Sequence, residues 1–206
     1  MRARINLHLG DCMEVMRGME DNQFDLAIVD PPYGIGNFTQ SDRKQKYKNY
    51  GEYTWNVQIP NKEYFQELKR VSGNQIIWGA NYYNCFTGGA AIIWDKKNPH
   101  PNMSRCEIAS VSWGKRTVMI EIMHFGAHQD KGNFHPCAKP IRLYRWILQN
   151  YAKEGDKILD THLGSGSIAI ACWDMRYDLE AYEIDKEYYE KACSRFDMHC
   201  KQGQLF

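Results

Sequence analysis

Two short stretches carry residues whose types and spacing could do chemistry. The first, DLAIVDPPYGIG over residues 25–36, is an apolar, strand-like run that breaks into an acid (Asp30), two prolines (Pro31, Pro32), an aromatic ring (Tyr33) and two glycines (Gly34, Gly36). Read by itself it is either a stiff turn or the rim of an active site, since prolines hold whatever stands at a strand end in a fixed direction. The second, LDTHLGSGSIAIA, sets Gly164, Gly166 and Ala169 in a G-x-G-x-x-A spacing between a strand ending at Asp160 and the start of a helix. Glycines there let the backbone pass close to a ligand, and the free N–H groups of a helix start favour an anionic group. About 20 residues further on, Glu183 ends the next strand, where a carboxylate commonly accepts hydrogen bonds from ribose hydroxyls. Together these features suggest a nucleoside-containing cofactor; the bland alternative is a Gly-rich turn beside a surface acid.

The elements that must position these residues alternate along the chain. Strand-like runs are RINLHL, FDLAIV, QIIW, AAIIW, IASVSW, VMIEIM, KILD and LEAYEI. Between them, DCMEVMRGM reads as a helical crossover turning Met13, Met16 and Val15 inward, and NKEYFQELKRV as a helix with Phe65, Leu68 and Val71 on one face. Pro60 and Asn61 suit its start and Gly73 its stop. Ile141, Tyr144, Leu148 and Tyr151 form a third face, SIAIACWDM a further helix, and Tyr189, Ala192, Cys193 and Phe196 the inner side of a last one. Alternation of this kind predicts an α/β fold with a mostly parallel sheet between helical layers.

Composition narrows the field. The chain of 206 residues is 43% hydrophobic and reads as a single domain, 1–206, without repeats. MRARINLHLGD lacks the apolar core of a signal peptide, so a soluble, cytoplasmic protein without membrane contact is expected. Seven dispersed cysteines with no CxxC pair argue against a disulfide framework or a zinc ribbon, and most are expected to be small buried hydrophobes. The net charge of +1 neither announces nor excludes a local nucleic-acid patch. A nicotinamide-dependent dehydrogenase would normally carry the glycine fingerprint in its first strand-helix-strand unit, and here most of the chain precedes it.

DPPY at residues 30–33, followed by HPCAKP, LDTHLGSG and LEAYEIDKEYYEKA, resembles the S-adenosylmethionine-dependent DNA amino-methyltransferases. With DPPY ahead of the cofactor loop, the order is similar to the circularly permuted, beta-class arrangement. The resemblance implies a Rossmann-like, doubly wound, mostly parallel seven-stranded sheet with one reversed strand. Asp30 and Gly164 then face each other at the crevice where strand order reverses. By the same resemblance Asp11 and Cys12 line the cofactor adenine, Glu183 holds the ribose, Asp160, His162, Gly164 and Gly166 surround the methionine end, and Lys139 and Pro140 open the helix that closes the pocket. Asp30 and the Pro31 carbonyl would accept the two N–H bonds of a target amino group, Pro32 would stiffen the turn, and Tyr33 would stack on the flipped base. An aspartate at the first motif position implies adenine N6 in DNA, with cytosine N4 the nearer alternative and a catalytically silent DNA-binding relative the more distant one. Thr161 and His162 depart from the proline and phenylalanine usual after the motif aspartate.

Three further features carry weaker chemistry. Pro136-Cys137 sits directly before a helix, the wrong place for a cytosine-C5 nucleophile. His124, His128, His135 and Cys137 would need a helix to gather a metal, but the run before them reads as a strand, so no metal is expected. Finally, SDRKQKYKNYGEYTW mixes Arg43, Lys44, Lys46 and Lys48 with Tyr47, Tyr50, Tyr53 and Trp55, and suits phosphates and bases. Residues 37–56 are therefore expected to be a mobile, DNA-facing loop, and residues 96–134, with Lys96, Lys97, Arg105, Lys115 and Arg116, a minimal target-recognition segment.

Overall fold

The computed structural model describes residues 3–34, 59–86, 88–98, 104–123, 130, 134–135 and 137–202. Gly36, the loop 37–56 with Arg43, Lys44, Lys46, Tyr47 and Lys48, and His124, His128 and Pro136 lie outside the described residues.

All eight strand-like runs become strands: β1 (Ile5–Leu9), β2 (Phe24–Val29), β3 (Ser72–Trp78), β4 (Ala90–Asp95), β5 (Cys106–Val111), β6 (Thr117–Glu121), β7 (Lys157–Asp160) and β8 (Asp178–Glu183). They join in one sheet in the order β1-β8-β7-β2-β3-β5-β4-β6. The sheet thus has eight strands rather than the seven implied by resemblance. β5 runs antiparallel to both β3 and β4, and every other pairing is parallel, so β5 is the one reversed strand. β2 lies directly beside β7, and the chain leaves this pair in opposite directions, to β3 on one side and β8 on the other. That is the switch point at which open α/β sheets bind ligands.

The central strands are apolar on both faces because helices cover both. On β2, Leu26 and Ile28 pack into one core with Leu143, Ile147, Ile168 and Cys172, while Ala27 and Val29 pack into a second with Met16, Tyr64, Leu68 and Val71. The first core is covered by α4 (Ile141–Tyr151), α5 (Ser167–Met175) and α6 (Lys186–Gln202), the second by α1 (Cys12–Met16) and α2 (Lys62–Val71). Period-two alternation thus feeds two layers from one strand.

Local expectations hold unevenly. Asn61 caps α2, its side-chain oxygen accepting from Tyr64 N at 2.9 Å. Gly73 does not stop that helix; it is the second residue of β3, which follows α2 without a loop. Val15 is 37% exposed, because α1 is one short turn seated through Cys12 and Met16. α4 is seated by Leu143 and Ile147 along with Tyr144 and Leu148, and α6 by Tyr188, Ala192 and Arg195. All seven cysteines are free thiols, but only Cys12 and Cys172 are buried. A short helix that the periodicity does not show, α3 (Ala80–Tyr83), follows β3.

Candidate active site

Asp30 stands one residue past β2, and its two oxygens are both engaged. Oδ1 accepts the Tyr33 hydroxyl at 2.6 Å, and Oδ2 pairs with Lys139 Nζ. The Lys139 ammonium, with a side chain 2% exposed, also lies 3.0 Å from Glu107 Oε2 and donates to the Tyr33 hydroxyl at 3.1 Å. Its three N–H bonds therefore have three acceptors. The other oxygen of Glu107 pairs with Lys96. Burial pushes the Asp30 carboxyl up, Lys139 pulls it down, and the Glu107 charge pushes it up again, leaving it above the ordinary carboxylate range. At Glu107 burial acts in the same direction, but Lys139 and Lys96 together outweigh it and hold the group at about 2.

Tyrosines frame the DPPY turn. The Tyr33 ring stacks on Tyr82 of α3 with centroids 4.8 Å apart and planes 16° from parallel. Tyr83, the next residue of α3, donates its hydroxyl to the Pro31 carbonyl and lies 3.1 Å from the Pro32 carbonyl. Gly79, between β3 and α3, has φ +74°, and a Cβ on it would stand 2.3 Å from Cε1 of Tyr33. Only a glycine lets the backbone pass here.

The glycine loop forms the facing wall. Asp160 accepts His162 N at 3.0 Å, and Glu183 at the end of β8 accepts Gly164 N at 2.8 Å and Asp185 N at 3.0 Å, one on each oxygen. Each Glu183 oxygen keeps a lone pair for another donor. Gly164 (φ +52°) and Gly166 (φ +73°) take left-handed conformations, and a Cβ on Gly166 would come within 3.2 Å of Ala192 on α6. Arg195, one turn along α6, is buried and donates Nη1 to the Ser165 carbonyl at 2.8 Å and to the Ser167 hydroxyl at 3.0 Å. Asp130 accepts Ile141 N at the start of α4 and lies 3.6 Å from Arg195 Nη2. The last helix thereby ties the loop to α4. Burial, with the Asp30 and Glu183 charges added, raises Asp160 to about 8, while burial lowers His135 and His162 to about 4. The residues that depart from the family pattern form a chain, Tyr64 hydroxyl to Thr161 Oγ1 at 2.6 Å and Thr161 Oγ1 to His162 Nδ1 at 2.9 Å.

Between the walls lies a cleft of about 300 Å³, lined by Asp30, Pro31, Pro32, Tyr33 and Lys139 on one side and by His162, Gly164 and Glu183 on the other. Motifs far apart in sequence thus meet in one cavity. Asp11 and Cys12 are not among its lining residues: Asp11 caps α1 by accepting from Met13 N at 2.8 Å, and the Cys12 thiol is buried in the second core and pushed up to about 12. Pro140 is the residue before α4, and it, Asp160 and Gly166 are likewise not among the lining residues. No group of three or more potential metal ligands is gathered among the described residues. Sequence reading missed Glu107, Gly79, Tyr83 and Arg195 as parts of this region. A charged residue inside the otherwise apolar run CEIASV is the one signal that could have flagged Glu107.

The cleft suits S-adenosylmethionine by its donor set: an oriented carboxylate with free lone pairs for ribose hydroxyls, and a glycine backbone open to close approach. Comparison with known proteins agrees. The family model described as DNA methylase (N6_N4_Mtase) matches residues 111–194. The chain is 25% identical to the Type II methyltransferase M2.MboI of Moraxella bovis over 240 residues, covering 90% of this chain and 88% of that protein. It is 23% identical to the Type II methyltransferase M.HpaI of Haemophilus parainfluenzae, covering 91% and 72%. Among solved structures, M1.HpyAVI in its SAM complex superposes with a TM-score of 0.61 at 19% identity, covering 93% of this chain and 99% of that one. The PvuII DNA methyltransferase (cytosine-N4-specific) gives 0.66 at 11% identity, covering 95% and 87%. With these likenesses added to the motifs and their meeting in one cleft, the chain is similar in motifs and in fold to the DNA amino-methyltransferases, with DPPY ahead of the glycine loop.

Proposed function

We propose that the chain methylates the N6 amino group of adenine in DNA, with Asp30 and the Pro31 carbonyl accepting the two N–H bonds of that amine. The observation that carries this reading is the pair of acceptors on a stiff turn, across a cleft of about 300 Å³ from Gly164 and Glu183. An exocyclic amine is a poor nucleophile because its lone pair is delocalised into the ring. Two acceptors aimed at its hydrogens pull that pair out of conjugation and point it across the cleft. Bound against the glycine loop, S-adenosylmethionine supplies an electrophilic sulfonium methyl group. The N–C bond would form as the S–C bond breaks, and the nitrogen would then give up one proton along its hydrogen bond to the Asp30 carboxylate, from which it passes to solvent. Tyr33 stacks on the base, Pro32 keeps the turn rigid, and Lys139 holds Asp30 in its charged form. Glu183 takes the ribose, His162, Gly164 and Gly166 the methionine end, and Asp11, Cys12, Asp160 and Pro140 complete the surroundings.

The DNA contacts are assigned to Arg43, Lys44, Lys46, Tyr47 and Lys48 of the loop 37–56, and target choice to loops within residues 96–134, in a single catalytic domain. The segment also contributes β5 and β6 to the sheet, which leaves its connections for that task. No described helix is long and apolar enough to cross a membrane. The bacterial origin of the relatives supports action in the cytoplasm.

Incubation of unmethylated DNA with radiolabelled S-adenosylmethionine, followed by nucleoside analysis, is expected to yield N6-methyladenine. N4-methylcytosine as the sole product would overturn the choice of base. Cofactor binding gives a second expected result. Burial holds the Asp160 carboxyl up at about 8, and a sulfonium near it would favour the carboxylate. Binding below that pH therefore releases a proton, and affinity should tighten as pH rises towards 8 and then level off. Calorimetric enthalpies measured in buffers of different ionisation heat should diverge; identical enthalpies would place Asp160 out of the cofactor's reach.

A further inference from the structure

The Asp30 carboxylate shares its one buried cation with a second acid, and that acid is held from the far side. Glu107 lies on the reversed strand β5, opposite Trp94 in the β4 register, so that Lys96, just past β4, reaches its first oxygen. Its second oxygen stands 3.0 Å from Lys139 Nζ. Lys96, Glu107, Lys139 and Asp30 thus form a row of alternating charge that is neutral as a whole, and all four side chains are less than 20% exposed. Burial of four charges is tolerable only in such balance.

We propose that Glu107 is a positioning residue of methyl transfer: anchored by Lys96, it takes one N–H of the Lys139 ammonium, so that the lysine engages only one oxygen of Asp30 and leaves that carboxylate with lone pairs to take an N–H of the target amine. This rests on the reading of Asp30 as the acceptor. A lysine paired with Asp30 alone would compete with the amine for the same oxygens, and a charged hydrogen bond is stronger than one from a neutral amine. No lysine at all would leave two buried carboxylates facing each other, and Asp30, which has no second cation as Glu107 has in Lys96, would take up a proton. The groups facing Asp30 are Glu107 from β5, Tyr83 from α3, Tyr33 from its own turn, Tyr144 from α4, Asp160 from β7, and Lys139 and Cys137 from the approach to α4.

The test compares single-turnover methyl transfer in Glu107→Gln, Lys139→Met and the double variant, with thermal melting and calorimetric cofactor binding as checks on the fold. Glu107→Gln is expected to lower the transfer rate by about tenfold or more with cofactor affinity within about twofold of the parent. Its acid limb should move to lower pH, because Asp30 loses a repelling neighbour. The double variant should be faster than Lys139→Met, since it removes the acid that repels Asp30 once no lysine stands between them. An unchanged rate in Glu107→Gln, an unmoved limb, or losses that simply multiply in the double variant would overturn the inference. The Lys139→Met comparison stands even if the single glutamine variant does not fold. Full transfer by Asp30→Ala would sink the acceptor reading itself, whereas a dead Asp30→Ala beside an unaffected Glu107→Gln sinks only the role of Glu107.

Discussion

Asp30→Ala is expected to reduce methyl transfer by about a thousandfold or more, close to 4 kcal/mol of barrier, with cofactor affinity little changed. The substitution takes away the charged acceptor and leaves the glycine loop and Glu183 on the facing wall as they are. Lys139 retains Glu107 as a counter-ion at 3.0 Å, so its charge is not stranded and the fold should survive. The loss should therefore fall on kcat and spare the cofactor's KM, as for an interaction made mainly in the transition state. The parent enzyme should show the same dependence on Asp30 through pH. Burial sets that carboxyl above the ordinary range, and its protonation removes the acceptor, so the rate should fall on the acid side at a higher pH than a free carboxylate would impose. N6-methyladenine formed by Asp30→Ala at near-parental rate would refute the mechanism.

Gly79→Ala should be the most damaging conservative change outside the motifs. Its Cβ would lie 2.3 Å from Cε1 and 2.6 Å from Cδ1 of Tyr33, and φ is +74°. The left-handed conformation alone costs an alanine about 1 kcal/mol. The collision adds more, because the ring is held by its stack on Tyr82 and by its hydroxyl on Asp30. Tyr33 must leave its place, so a stability loss of about 2–3 kcal/mol and a fall in transfer of about a hundredfold are expected. Gly155→Ala separates the two effects. That residue has φ +89° but open space within 4 Å of where an alanine Cβ would stand, so it should show the backbone strain without the loss of transfer. Equal transfer rates in the two variants would mean that Tyr33 does not need its present position.

The two motifs were legible because each closes a strand whose apolar run is plain, and because β2 and β7 then pair. The eight strand runs were legible for the same reason, although the resemblance implied one fewer. Helix faces were read less well. Phe65 gave way to Tyr64 on α2 because Tyr64 finds Thr161 for its hydroxyl, and a polar tip with a partner can be buried. Arg195 is the clearest miss: an arginine on a polar helix normally faces water, and its partners Ser165, in the glycine loop, and Ser167, at the start of α5, lie 30 and 28 positions earlier in the chain. Glu107 and Lys96 meet only through the antiparallel register of β4 and β5. α3 is four residues long, too short for any periodicity, yet it delivers both Tyr82 and Tyr83 to the DPPY turn.

The hydroxyls on that turn bear on turnover. Tyr33 occupies an oxygen of Asp30 and Tyr83 the carbonyl of Pro31, the same two acceptors assigned to the amine. On the acceptor roles proposed above, a base swinging in would exchange one set of donors for another, and neither acceptor would be left bare at the start or the end of the cycle. A primary amine brings two N–H bonds and can replace both hydroxyls. Its methylated product has one, so one acceptor is better served by a returning tyrosine than by the product. On that proposal the turn would be biased to let the product go, and against receiving the same nitrogen for a second methyl group.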